Sequence, residues 1–178
     1  IAGKAPPPGL TGDERSQLPS AGAERVHRHE TQGLVRSQMP EFIGSHPAML
    51  EVSRRIRLAA PRKTTVLIEG PTGSGKELVA QALHRLSPRA KNKLVALNCA
   101  AIPETLLEAE LFGHARGAFT GAVQGRTGRI EAAHGGTLFL DEIGEMPAAL
   151  QAKLRRFIET GELQRFGENE PVRVDVRI

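Results

Sequence analysis

The sequence predicts an α/β fold, a parallel sheet with helices on both faces. Three observations carry it. Short apolar runs at 64–68, 94–97 and 137–140 read as buried strands, stripes of apolar residues at helical spacing separate them, and the first run ends in a glycine-rich turn. Strands that alternate with helices need crossover connections, which pack helices on the sheet faces.

In chain order, residues 1–40 hold Pro6-Pro7-Pro8-Gly9 and scattered Gly, Ser, Gln and Arg with no sustained apolar period. They read as a flexible linker or the edge of a missing N-terminal regulatory domain. From Ile43 the α/β pattern begins, so 41–178 is the folded domain. Pro47 suits the first turn of a helix, and Met49, Val52 and Ile56 share one face of it. Thr64-Thr65-Val66-Leu67-Ile68 is the first strand. Val79, Ala82, Leu83 and Leu86 stripe the next helix. Leu94-Val95-Ala96-Leu97 is the second strand, and Pro103 opens a helix through Leu107. Gly135-Gly136 introduces the third strand. Met146, Leu150, Leu154 and Phe157 stripe a further helix, and 172–178 alternates apolar with polar or is a strand buried at one end.

Composition excludes several classes. The 178 residues are 39% hydrophobic and 25% charged, which suits one globular domain, with or without a tail. Aromatic residues make up 3%, with no Trp or Tyr, which weakens any platform for stacked bases. A net charge of +4 is mildly basic and reads as a solvated surface. A single cysteine, Cys99, excludes an internal disulfide and fits a reducing cytoplasm; it reads as a small buried residue. No apolar run is long enough to span a membrane, and no signal peptide is visible. The chain opens on Ile1 and ends in an apparent strand at Ile178, so it is expected to be a fragment.

Gly70-Pro71-Thr72-Gly73-Ser74-Gly75-Lys76 fits a phosphate-binding loop, with the strand before it and the helix after it that such a loop requires. Glycines let consecutive N–H groups turn inward on phosphate oxygens, the helix end adds partial positive charge, and Lys76 adds a full one. Where the general pattern has a magnesium-binding hydroxyl, this chain has Glu77. Leu138-Phe139-Leu140-Asp141-Glu142 reads as a Walker B segment, its carboxylates emerging at the carboxyl end of a strand, where open α/β sheets bind ligands. Asp141 would hold Mg²⁺ and Glu142 would orient and deprotonate water. Adjacent acids imply a cation nearby.

Between these motifs stands Gly117-Ala118-Phe119-Thr120-Gly121-Ala122. On chemistry alone, either Phe119 is the exposed tip of a mobile hairpin or it is tucked into the core beneath a glycine-rich turn.

That hexapeptide resembles the signature loop of sigma-54-dependent transcription activators, members of the AAA+ superfamily. The P-loop through Glu77, Asn98-Cys99-Ala100-Ala101, Glu110-Leu111-Phe112-Gly113-His114 and the stretch from Gly135 to Glu145 resemble segments of the same family, so the similarity covers nearly all of the structured part. The resemblance implies a three-layer α-β-α AAA+ sandwich, incomplete at its C-terminus, that binds and hydrolyses ATP with Mg²⁺ in the cytoplasm to remodel sigma-54 RNA polymerase. In that family Glu after the P-loop lysine is usual. The resemblance further implies that Gly117 to Ala122 contact sigma-54, that Asn98 restrains Glu142, and that Ile43 and Gly44 line an adenine pocket; a capping Asn and a domain-edge turn are the plainer alternatives. It also implies rings, typically hexamers, with an arginine finger supplied in trans. The arginine fingers, a helical lid and a C-terminal DNA-binding domain are expected beyond Ile178, so the fragment alone is expected to hydrolyse ATP poorly. A P-loop ATPase of another kind and a nucleotide-gated module that only docks on sigma-54 are the rival readings.

Overall fold

A computed structural model describes residues 46–119 and 121–178, all within one compact unit, Met39–Ile178. The expectations for 1–40, Ile43, Gly44 and Thr120 lie outside the described residues.

Helix α1 (Pro47–Ala59) starts with proline in its first turn and with the His46 ring accepting from the Ala48 N–H. Helix α2 (Lys76–Arg85) follows the glycine-rich turn. Strand β1 (Leu94–Asn98) leads to α3 (Glu104–Phe112), which Pro103 caps. A two-residue antiparallel ladder joins β2 (Gly113–His114) to β3 (Arg126–Thr127) and holds the ends of the loop containing Phe119. The short helix α4 (Arg129–Ala132) precedes β4 (Thr137–Asp141), and a 3₁₀ turn (Ile143–Glu145) leads to α5 (Ala148–Thr160). Gly161, left-handed at φ 71°, ends α5 and begins a hairpin of β5 (Glu162–Leu163) and β6 (Val172–Arg173).

The sheet is parallel at its centre. β1 pairs with β4 from Leu94 opposite Thr137 to Asn98 opposite Asp141. Residues 175–178 run beside the other edge of β4: Gly135 N–H donates to Asp175, Arg177 N–H to Gly136 and Leu138 N–H to Arg177. Val66 N–H then donates to the carbonyl of Ile178. The spatial order is therefore β1, β4, 175–178, 66.

The two faces bury two clusters. Leu97, Leu138, Leu107, Leu111, Phe112, Ile130 and the Met146, Leu150, Leu154, Phe157 stripe pack on one side. Ile56, Ala60, Ala82 and Leu83 pack on the other, with Val66 and Ile68 against them. Period-2 alternation sorts the strands: Val95 and Leu97 join the first cluster, while Thr137 turns toward α2.

Three expectations are corrected. Segment 64–68 is not a buried strand. It makes the single bond from Val66, and only Val66 and Ile68 reach the apolar cluster, leaving Leu67 72% exposed. Leu86 stands outside the α2 stripe and is exposed, because that face turns inward through Ala80, Leu83 and His84. The run 172–178 is divided, with 172–173 in the hairpin and 175–178 beside β4. Among the described residues, no helix is long and apolar enough to cross a membrane.

Candidate functional site

The P-loop begins where the chain leaves the sheet edge. Gly73 and Gly75 adopt φ of 79° and 85°, which glycine adopts without steric cost. Gly75 is the residue from which α2 starts, so the free N–H groups of the helix end face the loop. Lys76 opens that helix and folds its ammonium back, donating to the carbonyls of Gly70 and Pro71 at 3.1 Å each. The loop is thus cross-braced by a cation that an incoming anion would draw off. Glu77 is exposed and accepts from Gln81 along the outside of α2. Its negative charge in the first turn suits the helix dipole.

Asp141 ends β4, and its Oδ1 accepts from the Glu142 N–H at 3.0 Å. Glu142 has φ 52° and ψ 43°, the left-handed region, the one non-glycine residue with positive φ among those described. Such strain costs on the order of 1–2 kcal/mol and concentrates at functional positions. Asn98 lies opposite Asp141 in the ladder. Its Oδ1 accepts from the N–H groups of Ala100 and Ala101, at 2.9 and 3.2 Å, so Asn98 caps the turn that follows β1. That bonding fixes which amide atom is oxygen and leaves the NH₂ group without a hydrogen bond among the described residues. Cys99 is buried, and its N–H donates to the Asp141 carbonyl. Burial pushes its thiol up, and the charge of Asp141 adds to the shift.

One cavity of about 520 Å³ brings the motifs together, with Gly70, Thr72 and Lys76 facing Asp141 and Glu142 across it. A second, of about 420 Å³, opens from the same loop. Met49, Val52, Ile56, Ala59, Val79 and Leu83 give it apolar walls, and Gly70, Pro71, Ser74 and Lys76 form its mouth. Glu77 and Asn98 line neither cavity. Gly73 and Gly75 shape the loop without facing either space.

The hexapeptide loop stands apart from these residues. Its root is tight: a Cβ at Gly128 would collide with the backbone of Leu111 to Gly113. Gly117 N–H closes the loop on the Ala122 carbonyl at 2.8 Å. Gly121 is left-handed and Ala122 is buried, but Phe119 is 39% exposed and belongs to neither core cluster. Its ring meets His114 edge-on at 5.0 Å and leans on Phe166 at 6.3 Å.

Sequence reasoning singled out nothing in 161–171, yet this segment braces the loop. Ala115 N–H donates to the Phe166 carbonyl and Phe166 N–H to that of Gly113. Gly167 passes so close to Ala118 that a Cβ there would come within 2.7 Å of the Ala118 Cβ. Arg165 pairs with Glu131 of α4 at 2.8 Å and with Glu168 at 3.2 Å. The available signal was Gly161-Glu162-Leu163-Gln164-Arg165-Phe166-Gly167, an alternating run between glycines.

The sigma-54 interaction domain family model matches residues 42–178. An anaerobic nitric oxide reductase transcription regulator, NorR, of Enterobacter sp. (strain 638) is 55% identical over 138 residues, covering 78% of this chain and 27% of that protein. NorR of Citrobacter koseri is 49% identical over 166 residues, covering 93% of this chain and 31% of its own length. Solved structures of NtrX from Brucella abortus are similar in fold and 36% identical: the ADP complex has a TM-score of 0.70 and the ATP complex 0.69, each covering 87% of this chain and 33% of the other. This chain therefore spans about a third or less of these relatives. Over residues 42–178, the chain belongs to the sigma-54 interaction domain family, with the AAA+ fold of sigma-54-dependent activators.

Proposed function

We propose that this chain is the nucleotide-binding portion of an ATPase that remodels sigma-54 RNA polymerase to open promoters. The carrying observation is the shared cavity in which Lys76 and Thr72 face Asp141 and Glu142. Binding of ADP and ATP by NtrX supports the choice of ligand.

Lys76 would exchange the Gly70 and Pro71 carbonyls for phosphate oxygens, a stronger, charge-assisted pairing. The turned backbone of Gly70 to Gly75 would supply N–H donors. Among the described residues no three His, Cys, Asp or Glu side chains converge on a metal. Mg²⁺ is commonly held by one or two carboxylates together with substrate phosphates; here Asp141 would be the carboxylate. Magnesium ATP, when bound, supplies a γ-phosphoryl group for transfer to water. Glu142 would orient that water and take its proton. The Asn98 NH₂ group, left over from capping, is the donor that would hold Glu142 aside. Glu77 would act electrostatically from the helix flank rather than by contact. Ile43 and Gly44 would complete the adenine side.

Gly117 to Ala122 would carry the partner surface, with Phe119 and Thr120 touching sigma-54. The Phe166 hairpin bears on that loop, and α4 is tied to it through Arg165, so a change near β4 has a mechanical route outward. Residues 1–40 would form a linker to a regulatory domain. The lid, the trans arginine finger and DNA binding would be supplied by segments outside this chain, within a cytoplasmic ring-shaped assembly.

The test is retention of purified sigma-54 by this chain with ADP and a metal-fluoride phosphate analogue. The proposal expects retention that Thr120→Ala and Phe119→Ala abolish. Retention equal with and without nucleotide would count against it.

A further inference from the structure

Arg177 is the strongest buried group without a role in that scheme. It sits beside β4, is 3% exposed, and forms no ion pair with a carboxylate among the described residues. Its guanidinium donates to the carbonyls of Ala60 and Ala59, at 2.8 Å each. Those carbonyls lie at the C-terminal end of α1, which carries partial negative charge; the Arg62 N–H also donates to Ala59, at 3.0 Å. Burying a cation without a carboxylate is costly, and removing Arg177 would take away the side-chain partner of the Ala60 carbonyl. Burial pulls the Arg177 pKa down from its ordinary value, with the nearby Arg89 charge adding to the effect.

The location gives this clamp a consequence. Ala59, whose carbonyl Arg177 holds, is itself a wall of the 420 Å³ cavity. The next residue, Ile178, accepts the Val66 N–H; Val66 lines both cavities, whereas α1 lines only this one. Arg177 and Ile178 thus tie α1 and the segment 64–68 to one stretch of backbone, itself bonded to Gly136 and to Leu138 of β4 through the Arg177 N–H and C=O. The cavity is apolar inside and opens on phosphate-binding residues, which suits a flat purine with its phosphates at the mouth.

We propose that Arg177 is a positioning residue for nucleotide binding, holding α1 against the sheet so that the base-side cavity keeps its width. This rests on the nucleotide reading above. It concerns the base and not the phosphates, so the two separate in one experiment. ADP and inorganic tripolyphosphate are titrated calorimetrically, with magnesium, into the wild-type chain, Arg177→Met and Arg177→Lys. The expected result is about a tenfold loss of ADP affinity in R177M, about threefold in R177K, whose ammonium reaches one carbonyl, and a change of under about twofold for tripolyphosphate in both. If R177M does not fold, R177K carries the test alone. An equal loss for both ligands, or no ADP loss in any folded variant, overturns the assignment. A wild-type chain that binds tripolyphosphate as tightly as ADP removes the base-side cavity, and one that binds neither overturns the nucleotide reading itself.

Discussion

His84 Nδ1 lies 2.9 Å from Thr137 Oγ1, both side chains buried, joining the far end of the P-loop helix to the first residue of the strand that carries Asp141. Between Lys76 and His84 the helix rises ~12 Å, and between Thr137 and Asp141 the strand rises ~13 Å. Thr137 and Asp141 are four residues apart and so share a strand face. A contact at one end therefore sets Asp141 level with Lys76 at the other. Thr137→Val would leave a buried ring nitrogen unpaired and cost about 1–3 kcal/mol. Urea unfolding measures it, and an unchanged midpoint would remove His84–Thr137 as a strut.

Glu142 is held left-handed at a position where glycine or asparagine is at ease. Glu142→Asn is expected to raise stability by roughly 0.5–1 kcal/mol while removing the water-orienting carboxylate. Thermal melts alongside phosphate release from the complete protein check both halves. A fall in stability would mean that the carboxylate itself anchors the turn.

Phe119 touches His114 and Phe166 but no core cluster. Phe119→Ala should therefore shift stability by less than about 1 kcal/mol, while Phe112→Ala, fully buried, should cost about 3–5 kcal/mol. Chemical denaturation of the two variants gives the comparison. Equal losses would make the loop a core element and deprive it of a partner-binding role.

Acid sensitivity has a named contributor. The Arg89 guanidinium, 2.6 Å away, holds the Asp175 carboxyl below its ordinary value. A depressed carboxyl pKa stabilises the fold above the unfolded-state value near ~3.9, and this stability is lost as pH falls through the folded value. Asp175 is mostly exposed, so solvent screening keeps the effect small. Asp175→Asn should be less stable than wild type at neutral pH, and the gap should close in acid. Urea midpoints across that range measure it; a gap independent of pH would contradict the pairing.

The elements legible in the sequence were those with a local cause. The glycines at 73 and 75 announce their turn, the Met146 to Phe157 stripe announces α5, and the apolar run before Asp141 announces β4. What was missed depends on partners distant in the chain. Leu67 looks buried by its type, but its neighbours leave it open to solvent. Arg177 looks like the polar face of an alternating strand, and only the end of α1, more than a hundred residues earlier, makes its burial tolerable. The brace from Phe166 to the hexapeptide loop uses backbone bonds, which side-chain patterns do not reveal.

The central claim is that Lys76 and Asp141 serve one ligand. Equilibrium binding of ATP, with magnesium and with chelator, tests it most directly in the wild-type chain, Lys76→Ala and Asp141→Asn. Lys76→Ala is expected to lose binding under both conditions, while Asp141→Asn binds equally with and without magnesium. Undiminished binding by Lys76→Ala, or a full magnesium effect in Asp141→Asn, would contradict it.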